Sequence, residues 1–174
     1  MQGVEPGALP PPCRAHTATL VDRKIVVFGG GEGSVYYNSV WVFDVTMRRW
    51  SKPEFLTKDV PPPRRAHTAV SYQGKIWVFG GGNGMQALND VWTLDVSGSM
   101  DRLKWEQVET GRKKPSCRGY HTANLIGNMM LVYGGSDGRE CFSDIWALDL
   151  GAFYAPYAGV PTVILNARGC TRTA

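Results

Sequence analysis

One arrangement of residues occurs three times along the chain, and it leaves few folds open. His16-Thr17-Ala18, His67-Thr68-Ala69 and His121-Thr122-Ala123 open three matching segments. Thirteen residues after each histidine stands the first of a glycine pair: Gly29-Gly30, Gly80-Gly81 and Gly134-Gly135. Twelve residues further comes Trp41, Trp92 or Trp146, and three after that Asp44, Asp95 or Asp149. The period is 51 residues and then 54, and all three histidines of the chain fall at the one position. Repeats of this length are single supersecondary units that stack to bury a shared core.

Each unit reads as antiparallel β. Ala15 to Val21 suits a first strand, and the two-residue turn Asp22-Arg23 leads into a second, Lys24 to Phe28. Gln73-Gly74 and Gly127-Asn128 are the matching turns. The glycine pair ends the second strand, where positive φ and close backbone approach are needed. A longer loop precedes the third strand, Val40-Trp41-Val42-Phe43. An outer fourth strand carries Arg49-Trp50-Ser51 in unit one and Lys104-Trp105-Glu106 in unit two. Four strands per unit of about 50 residues is the arithmetic of a propeller blade.

Composition agrees with many short elements. The chain has 174 residues, 43% of them hydrophobic, with 21 Gly and 11 Pro. That supplies a core and many turns, and argues against long helices. A net charge of +4 gives no electrostatic case for nucleic acid. No apolar run approaches the roughly 18 residues of a membrane span, and Met1-Gln2-Gly3-Val4-Glu5-Pro6 lacks the marks of a secretory signal. Cys13, Cys117, Cys141 and Cys170 form no C-x-x-C pair and no zinc spacing. They read as reduced thiols, and a cytoplasmic location is expected.

The pattern resembles the kelch repeat. The resemblance rests on the Arg near His-Thr-Ala, the Phe-Gly-Gly or Tyr-Gly-Gly, the Val/Ile-Trp-x-apolar-Asp, and Trp50 and Trp105. It covers about residues 10 to 150. It implies an all-β fold of four-stranded antiparallel blades set around an axis as a β-propeller. It also implies a protein-interaction scaffold, since only a few members are enzymes. Three blades fall at about 11–60, 61–113 and 114–150, behind a flexible segment 1–10. Propellers of this kind close with about six blades, so three form an incomplete ring with exposed end faces. Self-association that completes the ring is therefore expected. After Leu150 the pattern stops: no Trp stands where Trp50 and Trp105 stand, and 151–174 reads as a tail foreign to the repeat. The chain then reads as a truncated or alternatively processed product of a longer gene, with a degenerate last blade as the alternative.

Candidate chemistry is thin. His16, His67 and His121 invite a metal, but identical positions in successive blades point to one structural role. Arg14, Arg65 and Arg118 read as donors to loop carbonyls, and Trp41, Trp92 and Trp146 as packing between blades. A galactose-oxidase-like copper site needs histidines beyond the repeat positions, and none exists. A ferrous Glu-x-x-x-Asp-x-x-x-His run finds Glu140 and Asp144 but Leu148 in the histidine slot. Gly29-Gly30-Gly31 and Gly80-Gly81-Gly82 lack the ending of a phosphate loop. Arg48-Arg49, Arg64-Arg65 and Arg112-Lys113-Lys114 read as solvated connections. No catalytic residue, metal or cofactor is expected.

The loops after the glycine pairs differ most between units, and variable loops on a repeated frame carry recognition. Tyr37, Leu88 and Phe142 share one position and read as tucked into their blades. Tyr36, Met85 and Arg139 are then the candidate contacts with a partner protein. The expected function is a non-catalytic interaction scaffold, without nucleic acid and without membrane insertion. The alternatives are a copper oxidase or carbohydrate-processing enzyme on the same architecture, or a truncated product with no function of its own.

Overall fold

The computed structural model describes residues 9–111 and 113–154. Most of the segment 1–10, Arg112, Cys170 and the tail beyond Tyr154 lie outside the described residues. Unit one contributes β1 (Thr17–Val21), β2 (Lys24–Phe28), a loop hairpin of β3 (Gly31–Glu32) and β4 (Val35–Tyr36), then β5 (Val40–Asp44) and β6 (Arg49–Ser51). The connection carries β7 (Glu54–Phe55). Unit two contributes β8 (Thr68–Tyr72), β9 (Lys75–Gly82), β10 (Ala87–Asp95) and β11 (Arg102–Val108). Unit three contributes β12 (Thr122–Ile126), β13 (Met129–Tyr133) and β14 (Ile145–Asp149), followed by a 3-10 turn at Gly151–Phe153.

Each unit is one antiparallel sheet. Blade one is ordered β1-β2-β5-β6, and blade three is β12-β13-β14, with no outer strand among the described residues. Blade two is β8-β9-β10-β11 with β7 added parallel to β11, so a strand from the end of unit one belongs to the sheet of unit two. The first strands stand side by side, β1 against β8 and β8 against β12, and no sheet closes on itself. The protein is all-β, a partial propeller.

Strand alternation sends side chains to both faces of each sheet. On β9, Ile76 and Val78 join Val26, Phe28 and Trp105 in the core between blades one and two. Their neighbours Trp77 and Phe79 join Met130, Val132 and Leu148 between blades two and three. A central blade must therefore be apolar on both sides, and β9 is buried along nearly its whole length.

The glycine pair is a joint between blades. All six of its glycines have positive φ, from 62° at Gly80 to 93° at Gly81. The first glycine faces the next blade. A Cβ on Gly29 would lie 2.7 Å from the Arg64 carbonyl oxygen, and one on Gly80 would lie 2.8 Å from that of Arg118. The second faces its own blade: a Cβ on Gly30, Gly81 or Gly135 would lie 2.8–2.9 Å from Cβ of that blade's histidine. The second glycine also donates its N–H across the joint, Gly30 to the Arg64 carbonyl and Gly81 to the Arg118 carbonyl, both at 2.8 Å. Nearer the axis the Ala66 N–H donates to the Ala15 carbonyl (2.8 Å) and the Tyr120 N–H to the Ala66 carbonyl (2.9 Å).

The first strands begin at Thr17, Thr68 and Thr122, two residues later than the alternation of Ala15 to Val21 implies. Ala15, Ala66 and Tyr120 hold φ of 57–58° and turn the chain just before the histidine. The recurrent Asp closes the third strand: the Asp44 carboxylate accepts N–H bonds from Thr46 and Met47, and Asp149 from Gly151 and Ala152. This is an Asx turn, which explains an acid three residues after each tryptophan.

Candidate partner-binding surface

Most of the recurrent polar residues of blades two and three are engaged by the frame. The Arg64 guanidinium forks onto the Asp90 carboxylate with two bonds of 2.8 Å and donates to the Gly80 carbonyl at 2.9 Å. Arg118 does the same with Asp144 and the Gly134 carbonyl. Both arginines are fully buried, and the bidentate fork satisfies their charge. The indole N–H of Trp92 donates to Asp90 (2.7 Å) and that of Trp146 to Asp144 (2.6 Å). Asp90 is pushed up by burial, but the hydrogen bond and charge of Arg64 win and hold its carboxyl below the usual range. Asp144 is held low chiefly by its bond to Arg118.

This alters the reading of the arginines. The equivalent of Arg118 is Arg64, three residues before the histidine, and not Arg65 or Arg14. Arg14 is exposed. In blade one the slot holds Cys13, opposite Ser39 in the place of Asp90, so that joint has no buried ion pair. Arg65, the next residue, lies outside that ion pair, and its guanidinium donates to the Gly33 carbonyl at 3.3 Å.

The histidines also bridge blades. His67 Nε2 lies 2.9 Å from Thr17 Oγ1 of the preceding blade, and His121 Nε2 lies 2.8 Å from Thr68 Oγ1. Burial, then the nearby Arg64 charge, pushes His67 down to about 3, and burial and Arg118 push His121 down to about 4. Both are neutral at physiological pH. His16 is exposed, and among the described residues its side chain bonds to Cys13 Sγ at 3.4 Å. Among the described residues no three His, Cys, Asp or Glu side chains gather to hold a metal.

The loops after the glycine pairs collect at one end of the blades. They border an open depression of about 290 Å³. Tyr36 and Met85 line it, together with Arg65, Tyr120 and Asp137. Arg139 does not: it sits on the same loop as Asp137, exposed, its N–H bonded to the Asp137 carboxylate at 2.8 Å. Nor are the three candidates equivalent. Met85 and Arg139 share a turn position with Ser34, whereas Tyr36 shares one with Ala87 and Cys141.

Asn83 Oδ1 accepts the Met85 and Gln86 N–H groups, and this turn thrusts Met85 outward to 93% exposure. Tyr36 is only half-buried. Its ring lies against Gly84, where a Cβ would come within 3.1 Å, and beneath the Arg65 guanidinium at 4.5 Å. That is a cation–π stack at the rim. Asp137, held low by the Glu140 and Arg139 N–H groups, adds an acidic residue to the lining. Tyr37, Leu88 and Phe142 are half-buried, and Phe142 lies 4.3 Å beneath the Arg118 guanidinium.

Two lining residues escape sequence reasoning. Arg65 is masked by its neighbour Arg64. Tyr120 stands 71% exposed at the left-handed position that holds alanine in the other blades. A bulky side chain there is uncommon, and that departure from alanine is the signal available in the sequence. No helix among the described residues is long and apolar enough to cross a membrane.

The sequence profile of the KLHDC2/KLHL20/DRC7 Kelch-repeats domain matches residues 16–157. Human host cell factor 1 is 34% identical over 72% of the chain, which spans 7% of that protein. An F-box/kelch-repeat protein of Arabidopsis thaliana is 33% identical over 81% of the chain and 32% of its own length. The Drosophila melanogaster leucine-zipper-like transcriptional regulator 1 homolog is 28% identical over 80% of the chain and 15% of its own length. The chain therefore spans at most about a third of these relatives.

Proposed function

Because the chain belongs to the kelch-repeat family, we propose that it is a non-catalytic protein-interaction module whose partner docks in the loop-lined depression. The observation that carries this reading is the gathering of Tyr36, Tyr120, Met85, Arg65 and Asp137 around one open hollow. Tyr and Arg are favoured interface anchors, and an exposed methionine adapts to varied surfaces. The groups that would otherwise suggest chemistry are engaged: two of the three histidines bond to threonine, and Asp144 bonds to Arg118 and Trp146. Among the described residues Cys13, Cys117 and Cys141 are free thiols, which supports a reducing compartment such as the cytoplasm.

The test compares proteins retained from a cell extract by the wild-type chain and by a Met85→Lys/Tyr120→Ala/Arg65→Ala variant. A specific protein retained only by the wild type, with Tm within about 2 °C between the two, is the expected result. Equal retention removes the depression from the reading. Stoichiometric copper or iron in the purified chain, measured by mass spectrometry, would favour an enzyme instead. A second reading rests on the end faces. His16 on blade one and the exposed Thr122 on blade three are the two halves of the bond that Thr17 and His67 make between blades. A second copy would join them and extend the ring.

A further inference from the structure

Asn83 is the one asparagine of the chain that glycine follows. The pair turns the loop between β9 and β10. The Asn83 N–H donates to the Gln86 carbonyl at 3.1 Å, and Gly84 has a φ of 93°. The Asn83 amide oxygen accepts the Met85 and Gln86 N–H groups at 3.0 and 2.9 Å. The Gly84 N–H has no backbone acceptor among the described residues. Gly84 is exposed, and it carries no side chain to shield its nitrogen.

Unit three builds the same turn on an acid. Asp137 stands at the position of Asn83, and Gly138 at that of Gly84 with a φ of 94°. One Asp137 carboxylate oxygen accepts the Arg139 and Glu140 N–H groups at 2.8 and 2.9 Å. Those two bonds are the main reason that its carboxyl lies below the usual range. The turn therefore stabilises negative charge on the oxygen it holds. In unit two the same pair of N–H groups points at a neutral amide oxygen. Preorganised donors of this kind stabilise an oxyanion that forms when a nucleophile attacks the carbonyl carbon.

We propose that Asn83 is a site of spontaneous deamidation, which places a second carboxylate beside the loop depression. The Gly84 nitrogen gives its proton to water and attacks Cγ of Asn83, and the carbonyl electron pair moves to Oδ1. Collapse keeps the new Gly84 N–Cγ bond and breaks Cγ–Nδ2. The leaving nitrogen takes up the proton and departs as ammonia, and a succinimide ring remains. Water then opens the ring. Attack at Cγ gives aspartate, and attack at the main-chain carbonyl of residue 83 gives isoaspartate. Water enters, ammonia leaves, and nothing is oxidised. The aspartate product keeps the turn, as Asp137 does in unit three. The isoaspartate product lengthens the main chain next to Gly84, where even a Cβ would come within 3.1 Å of the Tyr36 ring. Either product lowers the net charge of +4 by one. Its effect on docking rests on the function proposed above, but the modification itself does not.

The test keeps the full chain in heavy-oxygen water at neutral pH and physiological temperature, and follows residue 83 by peptide mapping. A free peptide with the sequence of Gly80–Ala87 is the reference that lacks the folded turn. Residue 83 should gain one heavy oxygen, at least as fast in the chain as in the peptide. Asn124, exposed but followed by leucine, should stay unlabelled over the same period. Gly84→Ala should slow labelling at least about 10-fold, because a methyl group displaces the attacking nitrogen from its near-attack position. The same substitution in the peptide, which has no fold to lose, should slow it too. Three results would overturn the proposal. Slower labelling in the chain than in the peptide would mean that the turn shields the amide. Equal labelling of Asn83 and Asn124 would remove the glycine as the cause. An unchanged rate for the Gly84→Ala peptide would exclude attack by that nitrogen.

Discussion

Three histidines at one position of a repeat have two different environments, and the difference is electrostatic. In the unfolded chain each takes up a proton near pH 6.5. In the folded chain His67 and His121 stay neutral down to about 3 and about 4. Between those limits the unfolded state binds more protons, so stability is full above about pH 6.5 and falls as pH drops. The slope is up to about 1.4 kcal/mol per pH unit for each histidine. The carboxylates of Asp90 and Asp144, held low by arginine, add their loss only below their ordinary range. The urea midpoint should therefore fall clearly between pH 7 and pH 4.5, and the double variant His67→Gln/His121→Gln should flatten that slope. An unchanged midpoint for the wild type over that interval would show that these imidazoles are not neutral in the fold.

At the scale of the element, the first glycine of each pair is a contact surface as well as a turn. Gly80 combines a φ of 62° with the Arg118 carbonyl 2.8 Å from any Cβ. Gly134 has a similar φ of 68°, but its nearest obstacle is the Phe142 carbonyl at 3.3 Å. Gly80→Val should unfold blade two, since a β-branched residue resists positive φ. Gly134→Ala should cost about 1–2 kcal/mol, the conformational term, and Gly80→Ala distinctly more. Equal denaturation midpoints for the two alanine variants would remove the joint as the reason for the glycine. The antiparallel strands of each unit, the turns and the glycine pairs were all legible, because period-two burial and turn chemistry are local. β7 was not, because two residues pairing in parallel with a distant strand leave no local pattern. The role of Arg64 was hidden too, since two adjacent arginines cannot be told apart until one faces Asp90. The loop candidates were half legible. Exposure follows from composition, but which exposed side chains share a hollow depends on how the blades stand.

At the scale of the molecule, the described residues present two unlike end faces: one offers an exposed histidine, the other an exposed threonine and the Phe142 carbonyl, which has no backbone donor among the described residues. Unlike faces associate head to tail, and such contacts either close into a ring or propagate. Light scattering should give a mass of two chains, about twice 19.1 kDa, reduced to one by Thr122→Trp with the melt unchanged. A monomer in the wild type would mean that the faces do not recognise each other. The joints have a direction as well. Blades one and two each rest their first glycine and their threonine on residues that come later in the chain, Arg64 and His67 for blade one, Arg118 and His121 for blade two. On a ribosome, then, blade one cannot seat when its own last strand ends at Ser51. It waits for His67 to emerge, roughly 1–3 s later at ordinary elongation rates. Folding of this protein trails its synthesis by a fraction of a blade, and each completed unit is held open until its successor arrives.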